Sequence, residues 1–332
     1  MGRWPITRRF AVFTAQRPKV VIVGTGMVGA TFGYALLWSG LTPEIILIDV
    51  NRARASGEAM DLSHAMPFHR PINIRAGDYP DCVGATVVAI AAGAAQRPGE
   101  TRPELAQRNA RVFDEIIPQV VRYAPEAILL IATNPVDSLT YYTWRLSGLP
   151  PNQVIGAGTI LDTARLRYVL GARFGVDPRS VHAYIVGEHG DTEVPLWSSA
   201  TIAGMSIDEY CMVTGAPCLD GEREQIFAQV RDAAYHIIEL KGATYYAIAS
   251  GMERIVESIL RDQHTILTVS GLLENCHGVS DVCISVPMVI GRQGIERTLC
   301  VPMSPEEEAR FQASARAVRE VIDTLPLPQP VA

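Results

Sequence analysis

The chain has 332 residues, 48% of them hydrophobic and 19% charged, with a net charge of −6. That composition suits a globular protein of one or two domains with a large core. The scattered Lys and Arg offer no basic face for nucleic acid, and the longest apolar run, Cys82 to Ala95, is too short to cross a bilayer. Residues 1 to 17 carry Arg3, Arg8, Arg9 and Arg17 without an acidic residue and read as an N-terminal arm open to disorder. Cys82, Cys211, Cys218, Cys276, Cys283 and Cys300 are dispersed with no C-x-x-C pair, so neither a metal site nor a disulfide is expected, and a reducing, cytoplasmic setting is the default.

Lys19 to Val23 is a β-branched run followed by Gly24-Thr25-Gly26-Met27-Val28-Gly29 and a helix-compatible stretch through Trp38. Strand, glycine turn and helix stand in the order of a dinucleotide fingerprint. The first glycine serves the tight turn, the second lets backbone approach a pyrophosphate, and the third lets helix pack on strand. The next strand, Glu44 to Ile48, ends in Asp49, whose carboxylate suits a ribose 2′-hydroxyl and would repel a 2′-phosphate, favouring NAD over NADP; the alternative is a helix N-cap. Further strands at Thr86 to Ala91 and Ala127 to Ala132 flank a helix from about Pro103 to Tyr123. Alternating strands and helices predict a Rossmann-type, doubly wound parallel sheet over residues 18–150.

Between the Thr86 strand and that helix, the polar segment from Gly93 to Arg102, punctuated by Pro98 and Gly99, reads as a hinged lid or as an ordinary surface loop. Thr133-Asn134-Pro135-Val136-Asp137 puts Asn134 at the carboxyl end of the sheet, where ligands of open α/β folds bind, though Asn134 equally suits a helix cap. Gly148-Leu149-Pro150-Pro151 marks the expected boundary to an α+β substrate and catalytic domain, residues 151–332. There, Asp162 and Arg165 share one helix face, either as functional groups or as a surface ion pair. Val181 to Val186 reads as one strand running into Gly187-Glu188-His189-Gly190-Asp191, which sets a histidine on a loop at a strand end. Helices are expected around Glu222 to Leu240 and Tyr245 to Arg261, and strands near His264 to Leu272 and Val282 to Ile290. In the last helix Ser304, Pro305 and Glu307 are cap, N1 proline and capping-box glutamate, with Phe311, Ala315, Val318 and Ile322 as its apolar stripe.

Five stretches, Ala92 to Arg102, Thr133 to Asp137, Gly158 to Arg167, Gly187 to Asp191 and Lys241 to Tyr246, together resemble the L-lactate/malate dehydrogenase family, and within it the bacterial L-lactate branch, over roughly Lys19 to Leu325. The resemblance implies reversible reduction of pyruvate to L-lactate by NADH, with a malate or broader 2-hydroxyacid dehydrogenase as the alternative. It makes His189 the acid/base, Asp162 its orienting carboxylate and Arg165 the clamp on the substrate carboxylate. Arg102, assisted by Asn134, would polarise the carbonyl. Gly24, Gly26, Met27, Val28, Gly29, Asp49 and Asn134 would bind the cofactor. Gln96 stands where malate enzymes of the family carry an arginine, and Thr244 resembles the lactate-type pocket wall. Arg167 and His182 match positions that bind fructose 1,6-bisphosphate in activated bacterial relatives, usually homotetramers.

Overall fold

The structure, a computed structural model, describes residues 18–97, 99–219 and 221–327; the expected N-terminal arm lies outside the described residues. The chain opens with β1 (Lys19–Val23), α1 (Met27–Ser39), β2 (Glu44–Ile48), α2 (Arg52–Ala65), β3 (Asn73–Ala76), β4 (Val87–Ile90), α3 (Arg102–Tyr123), β5 (Ile128–Ile131), α4 (Val136–Ser147) and β6 (Val154–Gly156). The strands of this half pair in parallel in the order β6-β5-β4-β1-β2-β3. Their unbroken apolar runs, such as Ile128-Leu-Leu-Ile131, are buried throughout because helices cover both faces. The order reverses direction between β1 and β4, so the crevice at their carboxyl ends is the place for a ligand.

The remainder comprises α5 (Ile160–Phe174), β7 (Val181–His182), β8 (Ile185–Val186), β9 (Val194–Pro195), β10 (Thr201–Ile202), β11 (Met205–Ser206), α6 (Ile207–Thr214), α7 (Arg223–Lys241), α8 (Tyr246–Leu260), β12 (Thr265–Leu273), β13 (Val282–Gly291), β14 (Gly294–Thr298) and α9 (Pro305–Asp323). The antiparallel ribbon β12-β13-β14 joins the parallel sheet through a single pairing of Ser270 with Gly156, so one sheet of nine strands runs through both halves. The capping box Ser304/Glu307 starts α9, and Phe311, Ala315, Val318 and Ile322 lie in the core.

Two expectations need correction. Val181 to Val186 is not one strand: it breaks at Ala183-Tyr184, β7 pairing with β10 and β8 with β9. Its apolar alternation is that of a strand, but Arg167 donates to the Ala183 carbonyl at 3.0 Å, and that oxygen is turned towards α5. The second correction concerns the cysteines, for Cys276 and Cys300 form a disulfide. The two lie 24 positions apart, and the chain between them folds back through β13 and β14, which brings the two Cα atoms to 5.6 Å, within disulfide range. Among the described residues no helix is long and apolar enough to cross a membrane.

Candidate active site

At the cofactor end the glycine turn is built as its spacing demands. Gly24 adopts φ +96° and donates to the Ile48 carbonyl at 2.8 Å, joining β1 to the end of β2. A Cβ on Gly29 would stand 1.9 Å from the Gly24 carbonyl oxygen, so only glycine lets α1 pack this close. Gly26 is different, since a Cβ there would meet nothing within 4 Å and α1 begins without a side-chain cap. Its first backbone N–H groups are thus open to an anion. Met27 and Val28 form the first turn of α1, with Met27 exposed. Asp49 does not cap the following helix; Asn51 does. Instead Asp49 Oδ2 accepts from the Thr25 backbone and hydroxyl at 2.7 and 2.9 Å, and Oδ1 from the Asn51 N–H at 2.9 Å. Burial raises the Asp49 pKa, but these hydrogen bonds and Arg54 outweigh it and hold the carboxyl below its ordinary value. An oriented, ionised acceptor beside a bare glycine turn fits NAD.

The second cluster assembles from segments far apart in sequence. Gln96, Arg102, Asn134, Asp162, Arg165 and His189 all line one cavity of about 150 Å³, with Asp191, Glu193, Arg231 and Tyr235. That volume suits a small molecule. Asp162, on the first turn of α5 and 2% exposed, is no surface group. Its Oδ1 accepts from Arg165 Nη1 at 2.8 Å and its Oδ2 from His189 Nδ1 at 2.5 Å. A carboxylate can only accept, so the Nδ1 proton is fixed there and Nε2 is left for a ligand. Burial alone would lower the His189 pKa; the charge of Asp162 and its hydrogen bond outweigh this and raise it above 6.5. Burial likewise pushes Asp162 up, while His189 and Arg165 bring it below the ordinary carboxylate range.

Arg102 is the first residue of α3, whose capping box is Thr101/Glu104. Its guanidinium pairs with Glu188 and, at 3.4 Å, with Asp191, and lies against the bare Cα of Gly190. The segment before it is pinned at its root: Arg108 binds Glu100 and the Ala95 carbonyl, and Gln96 donates to the Glu100 carbonyl at 2.8 Å. Asn134 does not cap α4, whose N-cap is Pro135, joined to Asn134 by a cis peptide bond.

Several site residues carried no clear mark in the sequence. Asn109, fully buried on α3, accepts from the Ala94 N–H and donates to the Asn134 carbonyl, both at 2.8 Å, tying the start of the Gly93–Arg102 segment to the Asn134 loop. Its signal was a polar residue on the buried stripe Leu105, Ala106, Ala110, Phe113. Asp137 accepts from the His189 backbone N–H at 2.8 Å; burial pushes its pKa up to about 6, against the pull of that bond. Glu188 and Asp191 gain meaning only from Arg102, and Tyr235 of α7 donates to Asp191 at 2.9 Å. Other expected residues stay apart. Thr244 is half-buried between α7 and α8 and is not among the residues lining this cavity. Arg167 lines a separate cavity with Arg179 and Arg254, its guanidinium 5.2 Å from the Tyr184 ring centre, whereas His182 is exposed on β7 and outside that lining.

Known proteins match this architecture along nearly its whole length. Residues 18–156 match the lactate/malate dehydrogenase NAD binding domain, and residues 159–326 the lactate/malate dehydrogenase alpha/beta C-terminal domain. The L-lactate dehydrogenase of Acetivibrio thermocellus is 53% identical over 307 residues, covering 92% of this chain and 97% of that protein. L-lactate dehydrogenase 1 of Clostridium acetobutylicum is 48% identical over 310 residues, covering 93% and 99%. Among solved structures, a minor L-lactate dehydrogenase from Enterococcus mundtii, in a ligands-bound form, superposes with a TM-score of 0.91 at 40% identity, covering 94% of this chain and 100% of that one.

Proposed function

Because the chain belongs to the lactate/malate dehydrogenase family, we propose that it is an NAD-dependent L-lactate dehydrogenase, reversibly reducing pyruvate to L-lactate. The observation that carries the reading is the shared carboxylate of Asp162, which holds both His189 and Arg165 at the wall of one small cavity. Bound NADH supplies the hydride. Arg165 offers its planar guanidinium to the substrate carboxylate and fixes which face of the carbonyl is presented. Protonated His189, its charge held by Asp162, donates from Nε2 to the carbonyl oxygen as negative charge develops there. Arg102, once exchanged from Glu188 and Asp191, adds positive field at the same oxygen, and Asn134 adds an amide donor. The cofactor rests on the Gly24–Gly29 turn with its ribose on Asp49, residues 18–150 forming the cofactor half and 151–332 the substrate half.

Gln96 supports pyruvate over oxaloacetate. A neutral amide in the lid gives a second carboxylate no countercharge, so burying one there is unfavourable. The same reading places Thr244 at the pocket wall when the lid is down. It also assigns the enzyme to the cytoplasm, to glycolytic pyruvate fermentation and to a homotetramer, in which Arg167 and His182 of facing subunits bind fructose 1,6-bisphosphate as an allosteric activator. Steady-state kcat/KM for pyruvate and oxaloacetate with NADH, with and without fructose 1,6-bisphosphate, tests it. A strong pyruvate preference and a lowered pyruvate KM with the activator are expected. Preference for oxaloacetate would overturn the substrate assignment, and an unchanged KM the regulatory one.

A further inference from the structure

One group in the cavity wall has no part in the chemistry above. Glu193 follows the His189 loop and leads directly into β9, and its own N–H closes the turn on the Gly190 carbonyl at 3.2 Å. The β8-β9 pairing therefore fixes where its side chain points. It lines the substrate cavity and is 3% exposed, and its Oε1 has no hydrogen-bond partner. A carboxyl oxygen of Glu193, one of Asp162 and a ring nitrogen of His189 all lie within 4.8 Å of one another. The positive charges at this spot are already committed: His189 and Arg165 both bind Asp162, and Arg231, reaching in from α7, pairs with its neighbour Asp232. Asp191 adds a further negative charge from the loop. Two adjacent buried carboxyls with partners for one cannot both ionise, and the unpartnered one keeps its proton.

We propose that Glu193 is a positioning residue for the reaction assigned above, an un-ionised carboxylic acid behind the Asp162–His189 couple that leaves Asp162 as the ionised carboxylate hydrogen-bonded to both the imidazole and Arg165. The assignment rests on the lactate dehydrogenase reading and deepens it. Burial raises the Glu193 pKa first, and Asp162 raises it further, against Arg165 and Arg231, up to about 9. Loss of that proton would place a second negative charge beside the guanidinium meant for the substrate carboxylate, weakening substrate binding more than turnover. It would also tighten the hold on the His189 proton.

The experiment compares KM and kcat for pyruvate at saturating NADH, from about pH 6 to about pH 10, in the wild type and in Glu193→Gln, which keeps the shape and removes the charge. Below about pH 7.5 the two should agree within about twofold; at about pH 9.5 the wild-type KM should exceed that of the variant at least about threefold, with kcat differing less. Superimposable KM profiles would overturn the proposal. Should Glu193→Gln fail to fold, infrared spectra of the wild type decide. A protonated carboxyl band at neutral pH that disappears through about pH 9 is expected, and its absence at neutral pH refutes the assignment. A wild type that turns over no pyruvate would remove the substrate reading alone, since the infrared band reports on Glu193 without turnover.

Discussion

The glycine turn at Gly24–Gly29 and the loop at Gly187–Glu193 both sit at strand ends facing the same crevice, yet they are built on opposite principles. The first is local backbone geometry: bare Cα atoms, one positive φ, and a carboxylate whose two oxygens are both engaged by nearby N–H and hydroxyl groups. The second is a collection of charges from five segments, and it leaves Asp137 Oδ1 and Glu193 Oε1 buried without partners, whereas no such atom lies in the glycine turn among the described residues. Unpartnered buried polar atoms cost free energy that a folded protein keeps only for a reason. The proposed cofactor seat is made from backbone shape and one fully partnered carboxylate. A proton-transfer site needs charges held away from water, and the fold carries that cost at the loop where the chemistry is proposed.

If that division is right, substitutions at the two ends should fail differently. His189→Asn should lower kcat by about 10²- to 10⁴-fold while NADH affinity stays within about twofold, as read by turnover and by fluorescence titration. Substantial residual turnover would take the acid role from His189. The same imidazole sets the pH profile. Its pKa is raised in the folded enzyme, so pyruvate reduction is full at low pH and declines as pH rises through a value above the ordinary 6.5. Asp162→Asn, which removes the raising charge, should move that decline to lower pH; an unmoved limb would break the link between the two residues. Gly29→Ala should do the reverse of His189→Asn. The new methyl collides with the Gly24 carbonyl and pushes α1 off β1, so NADH affinity should fall about tenfold or more and Tm drop, with turnover at saturating NADH less affected.

The same contrast explains what could be read from the sequence. The glycine turn, Asp49, the α9 capping box and the apolar stripes were visible because each is written within about thirty contiguous residues. His189, Asp162 and Arg165 were visible as chemistry-bearing types in motifs that resemble a known family, but their convergence on one carboxylate is tertiary. The break in Val181–Val186 was hidden because its alternation is that of a strand, and the interruption comes from α5. The Cys276–Cys300 disulfide, the Asn109 tie and the Asp137 bond to the His189 backbone join residues 24, 25 and 52 positions apart. Gly24 and Asp49 are as far apart, but there the spacing is itself the fingerprint, whereas no motif marks these partners.

A smaller effect is expected from Gln96→Arg. A guanidinium at position 96 would pair with the second carboxylate of oxaloacetate, moving the ratio of kcat/KM values toward oxaloacetate by about tenfold or more. An unchanged ratio would mean that position 96 does not set substrate charge and that the discrimination lies deeper, beside Arg165 and Arg231.

The smallest effect bears most directly on the cost of the charged loop. Glu193 is ionised in the unfolded chain above its ordinary 4.5 but stays protonated in the fold up to about 9. A carboxyl with a raised folded pKa favours the folded state fully below the unfolded value and loses that advantage as pH rises between the two. Glu193→Gln removes the titration, so its Tm relative to wild type should climb by a few degrees between about pH 5 and about pH 8 and level off near pH 9. An equivalent removal of charge at Asp49, Asp49→Asn, should show the opposite sign. That carboxyl is held below its ordinary value, so its ionised form stabilises the fold above about pH 4, and the variant should lose stability at neutral pH. Opposite signs at the two ends would establish that one region is held together by its charge and the other is strained by it; equal signs would dissolve the distinction.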